Sequence, residues 1–169
     1  MSEHEDFLRE AIAVADSAVA HGNSPFGALL VKDGQVLLRA ENSVVGDNDP
    51  TAHAELNLIR MAGAAYSPDV LAGCTLYAST EPCPMCAAAI GWSGIRTVVY
   101  ACSAEQMGTV GDAGFDLTCR DVISRTHHAV TVIGPMLEEE AMRAHRAFWP
   151  PFLERIRSGA LSPERQAQQ

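Results

Sequence analysis

Cys74-Thr75-Leu76-Tyr77-Ala78-Ser79-Thr80-Glu81-Pro82-Cys83-Pro84-Met85-Cys86-Ala87-Ala88-Ala89-Ile90-Gly91-Trp92 joins an apolar run, a break containing two thiols and a small-residue helical run. The spacing predicts a strand over 74–79 that leads directly into a helix. Its two cysteines, at i and i+3, then share one face of the first helical turn. Upstream, residues 5–21 carry Phe7, Leu8, Ile12, Ala15 and Val19 at helical spacing and stop at Gly22-Asn23. Phe26 to Val31 and Gln35 to Ala40 flank Lys32-Asp33-Gly34, a hairpin signal. Gly46 to Pro50 form a loop, and Thr51 is expected to cap a helix holding His53 and Glu55. Downstream come a strand at Thr97–Ala101, a Gly-rich irregular stretch over 103–120 and a strand at Ala129–Ile133. A helix near 137–148 follows, then a second short helical piece after Pro150-Pro151. Strands and helices alternate after an initial hairpin. The expected fold is therefore α/β, a three-layer α/β/α sandwich around a mixed five-stranded sheet. It forms one domain over 1–158, with a polar tail over 159–169.

Composition narrows the function. A chain of 169 residues can bury a full core, and 47% apolar content is that of a globular domain. No charged-then-apolar leader and no run of about 18 apolar residues appear, so a cytoplasmic protein without a membrane span is expected. Five cysteines without a leader fit a reducing compartment rather than a disulfide framework. Acids outnumber bases 21 to 12, the net charge is −9, and Lys32 is the single lysine. Nucleic-acid binders draw much of their affinity from Lys and Arg on phosphates. The arginines at 143, 146, 155 and 157 are matched by glutamates at 138, 139, 140 and 154, which predicts a solvated face rather than a nucleic-acid patch.

His53, Cys83 and Cys86 supply three metal ligands, and Glu55 supplies a carboxylate that need not be one. Structural zinc usually takes four protein ligands, whereas catalytic zinc keeps three and leaves the fourth position to water. With Pro82 the spacing reads H-x-E…P-C-x-x-C, the signature of zinc nucleobase deaminases. A thioredoxin-like redox pair is the rival reading of Cys83 and Cys86, but it leaves His53 and Glu55 without a role. The H-E-x-x-H of helical zinc proteases is absent. Glu55 can take a proton from a zinc-activated water, hand it to a ring nitrogen and protonate the departing amine. A purely structural zinc module would have no use for that free acid. His127 and His128 are adjacent near a strand, so they point to opposite faces and read as surface residues.

These residues resemble the cytidine deaminase-like zinc deaminases over about residues 5–150. Pro25-Phe26-Gly27-Ala28, Asn42, Asp49 to Glu55, Glu81 to Cys86, Trp92 and Ala113-Gly114-Phe115-Asp116 are most similar to short bacterial guanine deaminases, and next to bacterial tRNA adenosine deaminases. The resemblance implies zinc on His53, Cys83 and Cys86, and Glu55 as the catalytic acid/base. It also implies base contacts from Phe26, Asn42, the Ala54 N–H, Trp92 and Asp116. By residue type alone, Phe26 and Trp92 would otherwise be core and Asn42 a turn residue. One position departs from the guanine pattern: Leu117 stands where a second acid often follows Gly-Phe-Asp, leaving Asp116 or Asp112 to substitute. The implied substrate is a free base, guanine first. Alternatives are cytosine or another small aminated heterocycle such as an aminotriazine, and an anticodon adenosine. The apolar run Phe148-Trp149-Pro150-Pro151-Phe152-Leu153 either packs on its own helix layer or crosses to a second subunit. The resemblance implies a homodimer with exchanged C-terminal segments, for which Pro150-Pro151 would form a stiff extended hinge.

Overall fold

A computed structural model describes residues 2–112 and 114–159. The elements are α1 (Glu3–Ala20), β1 (Gly27–Lys32), β2 (Gln35–Glu41), α2 (Val44–Asp47), α3 (Ala54–Ala65), α4 (Pro68–Ala72) and β3 (Thr75–Thr80). They continue with α5 (Pro84–Ser93), β4 (Thr97–Cys102), α6 (Ala104–Gly108), α7 (Cys119–Ser124), β5 (Thr131–Ile133) and α8 (Glu138–Arg157). Asp33 and Gly34 both have positive φ (49° and 73°) and close the β1–β2 hairpin, because two such residues match the strand twist.

The strands form one five-stranded sheet in the order β2-β1-β3-β4-β5. β1 pairs antiparallel with β2 and β3, whereas β3, β4 and β5 run parallel. Side chains alternate across it with period two. Ala28, Leu30, Leu76, Ala78, Val98 and Tyr100 face one core with Leu58 and Ala62 of α3, Ala87 and Ile90 of α5, and Ile123 of α7. Leu29, Val31, Tyr77, Val99 and Ala101 face the other, with Leu8, Ala11 and Ile12 of α1 and Ala141, Met142 and Trp149 of α8. The three-layer α/β/α sandwich with a mixed sheet is therefore the observed fold. Gly27 allows the α1 layer to close on β1, since a Cβ there would lie 2.4 Å from the Ala11 carbonyl oxygen.

Three local expectations need correction. Thr51 does not cap α3. Its hydroxyl donates to the Asp49 carboxylate at 2.7 Å, and His53 takes the N-cap position with φ −69° and ψ 152°. The 103–120 stretch is not wholly irregular, because Ser103 and Thr118 side chains accept N–H bonds that start the short helices α6 and α7. Pro150 and Pro151 form no hinge, since α8 runs through them to Arg157. Each proline forfeits one intrahelical N–H bond. Packing offsets that loss: Phe148 and Trp149 meet edge-on at 4.9 Å, Phe148 stacks on Phe152 at 5.2 Å, and Trp149 is buried against its own chain's sheet. The tail over 160–169 lies outside the described residues.

Candidate active site

Two helix N-termini converge at the C-terminal end of β3. His53 is the N-cap of α3 and Cys83 the N-cap of α5, with Cys86 in the first turn of α5. Both positions carry unpaired backbone N–H groups and the positive end of the helix dipole, which favour thiolate and carboxylate. His53 Nδ1 lies 3.6 Å from Cys83 Sγ and 3.6 Å from Cys86 Sγ. All three donor atoms fall within 4.8 Å of one another. A tetrahedral zinc with bonds of about 2.3 Å to sulfur and 2.0–2.1 Å to nitrogen separates N from S by about 3.6 Å. The donor set and its spacing thus fit zinc, with one position left over. A redox dithiol would not require an imidazole nitrogen at that distance from both sulfurs.

The electrostatics of the cluster follow from crowding. A hydrogen bond from the Cys86 thiol, followed by one from His53, draws Cys83 down to about 4. Cys86, which keeps the shared proton, is pushed well above the usual thiol range, first by that bond to Cys83 and then by burial. The hydrogen bond to Cys83 raises His53. Glu55, in the first turn of α3, is buried, and desolvation lifts it to about 7, helped by the Cys83 charge. A carboxyl poised near neutral pH can both accept and return a proton.

The remaining expected residues fall in different settings. Ala54 is fully buried as the first residue of α3, where its N–H has no intrahelical partner. Asn42 is buried at the end of β2, and its Oδ1 accepts the Val44 N–H at 3.2 Å, which fixes the amide plane. Phe26 leads into β1 and packs on His145 and Trp149 of α8 at 5.2 and 6.2 Å. Trp92 is different. It is 84% exposed near the C-terminal end of α5, with its ring 6.2 Å from that of His128. A rise of 1.5 Å per residue puts it roughly 14 Å along the helix from Cys83. It is therefore neither core nor a neighbour of the cluster. Asp116 is exposed within 103–118, while Asp112 Oδ1 accepts the Gly114 N–H at 2.8 Å in a local turn. His127 and His128 are exposed, as expected.

Two residues with no role assigned from sequence stand behind the site. Glu81, buried two residues before Cys83, accepts the Ala104 N–H at 3.1 Å and the Cys119 N–H at 3.0 Å. His145, also buried, accepts the Trp149 Nε1–H at Nδ1 (3.1 Å). Indole N–H only donates, so the His145 proton sits on Nε2 and is given to Thr80 Oγ1 at 2.8 Å. This places α8 in contact with the last residue of β3. A charge abutting a strand end signalled the first, and the i,i+4 pair His145/Trp149 signalled the second.

Residues 1–102 match the cytidine and deoxycytidylate deaminase zinc-binding region. The chain belongs to this family of zinc-binding deaminases and is an enzyme. It is 35% identical over 148 residues to a probable cytosine deaminase of Schizosaccharomyces pombe, covering 85% of this chain and 90% of that one. It is 46% identical over 114 residues to the guanine deaminase of Bacillus subtilis, covering 67% and 71%. A solved structure from studies of A-to-I editing by tRNA:A34 deaminases superposes with a TM-score of 0.67 at 34% identity, covering 83% of this chain and 99% of that chain. Among the described residues no helix is long and apolar enough to cross a membrane.

Proposed function

We propose that this deaminase acts on a free nucleobase and that guanine, converted to xanthine and ammonia, is its substrate. The observation that carries the chemistry is Glu55, a buried carboxyl held near pH 7 beside a three-donor cluster with zinc spacing. His53, Cys83 and Cys86 would hold zinc, which supplies the Lewis acidity that makes a water nucleophilic at neutral pH. Glu55 would remove a proton from the attacking water and deliver it to the ring nitrogen, then take the proton of the new carbon-bound hydroxyl and pass it to the amine, so that ammonia leaves as the C–N bond breaks and the carbonyl forms. The Ala54 N–H and the Asn42 amide orient the base from the α3 N-terminus and the end of β2. Asp116 takes the place of the second acid that Leu117 replaces, because Asp112 is engaged in its own turn.

Charge supports a small substrate over tRNA. The net charge is −9, and on α8 Arg143, Arg146 and Arg157 pair with Asp16, Glu139 and Glu154 at 3.6, 2.9 and 3.7 Å. Arginines paired in this way leave little basic surface for phosphates. Cytosine is the second reading, because the cytosine deaminase relative aligns over 85% of this chain. Ammonia release from guanine, adenine, cytosine, their nucleosides and aminotriazines, with inosine formation in tRNA as a separate arm, tests the proposal. Guanine is expected to turn over fastest, and an inert guanine beside an active cytosine or tRNA would refute the choice of substrate.

A further inference from the structure

We infer that Glu81 is a positioning residue of the active site, which uses one carboxylate to fix both ends of the segment carrying Phe115 and Asp116 beside Cys83. The inference rests on the deaminase reading above and extends it to a residue that touches neither metal donor nor base. Ala104 and Cys119 are the first residues of α6 and α7, so their N–H groups have no intrahelical acceptor. Both are satisfied by Glu81, through Oε2 at 3.1 Å and Oε1 at 3.0 Å. The Glu81 main-chain N–H in turn donates to the Cys102 carbonyl at 2.8 Å, which carries the β3–β4 pairing one residue further. One buried side chain therefore joins three strands of connectivity: the end of β3, the start of α6 and the start of α7. Cys83 follows two residues later as the N-cap of α5. Between those feet, Gly111 packs so closely on the Trp149 ring that a Cβ would lie 2.9 Å from it. Beyond Gly111 the segment presents Phe115 at 67% exposure and Leu117 at 42%. α7, which begins at the Cys119 foot, packs against α5, whose N-terminus carries Cys83 and Cys86, so the anchor sets where this segment stands relative to the metal donors.

The choice of a carboxylate has a chemical reason. Two N–H donors converge on it, and a carboxylate offers two acceptor oxygens and no donor. Glutamine keeps the shape but turns one acceptor into an NH₂, which faces an N–H and releases one foot of the segment. Zinc-loaded Glu81→Gln should therefore keep its metal and become about tenfold more sensitive to chymotrypsin after Phe115 and Leu117. For the base the wild type deaminates, KM should rise and kcat fall, each about tenfold, since the released segment carries both the apolar side chains and Asp116, the proposed second acid. An independent measurement uses the wild-type protein: the Ala104 and Cys119 amides should exchange with solvent at least about tenfold more slowly than those of Phe115 and Leu117. Fast exchange at either anchored amide would overturn the inference even if the variant fails to fold. So would folded, zinc-loaded Glu81→Gln with unchanged nicking and unchanged KM. Wild-type protein that deaminates nothing would sink the substrate reading instead, while the nicking and exchange results would still judge the anchor.

Discussion

Replacing His145 by glutamine should remove a large part of the acid sensitivity of this fold. His145 is 1% exposed, enclosed by Phe26 and Trp149, with Thr80 as its hydrogen-bond acceptor. Burial pushes its pKa from 6.5 down to about 4. A histidine depressed in the folded state stays neutral there while the unfolded chain takes up a proton. Stability from this source is complete above pH 6.5 and is lost as pH falls toward 4. The full difference corresponds to about 3 kcal/mol, and by pH 5 about 2 kcal/mol should be gone relative to pH 8. Glutamine does not titrate, yet it can accept the Trp149 N–H and donate to Thr80, so the network survives the change. The assay is urea unfolding of both proteins at pH 8 and pH 5, with midpoints and slopes compared. Protonation of the thiols and release of metal affect both proteins alike and cancel in the difference. If His145→Gln loses as much stability between pH 8 and 5 as the wild type, to within about 0.5 kcal/mol, the buried neutral histidine is not the source.

Glu55→Gln should retain zinc and lose about 10²–10⁴-fold in kcat, because one group serves several proton transfers; the check is metal analysis beside ammonia release. Cys83→Ala should fall well below one zinc per chain, since removing one of three donors leaves a two-donor site, and an unchanged metal content would remove Cys83 from the ligand set. Trp149→Ala should cost about 3–5 kcal/mol by opening a cavity under α8, read from the urea midpoint. The homodimer that the resemblance implies is tested by sedimentation of the full chain beside a chain ending at Ala147. A full-length monomer would leave the α8 aromatics as packing within one chain.

The segment from Cys74 to Trp92 made the sheet-and-helix alternation legible, because a strand has period two, a helix has period 3.6, and the thiol-containing break marks where one gives way to the other. His53, Cys83, Cys86 and Glu55 were legible for a related reason: donor type and spacing are local properties, and the chemistry of zinc tolerates few combinations. Asn42 and Ala54 both sit at element ends, Asn42 held by the Val44 N–H after β2 and Ala54 at the start of α3. The other expectations depended on contacts between distant parts of the chain. Proline chemistry alone breaks a helix at Pro150-Pro151, yet Phe148, Trp149 and Phe152 find buried partners and hold α8 continuous. Trp92, an aromatic on a small-residue helix, is exposed beside the His128 ring because Ile90 and Gly91 take the buried face of that turn. Glu81 and His145 gained their roles from partners 23, 38 and 65 residues away. Sequence thus determined the alternation of elements and the metal-site chemistry, which short-range periodicity and donor identity encode. Tertiary structure alone decided which buried polar groups brace that chemistry, because a hydrogen bond across the fold leaves no period in the chain.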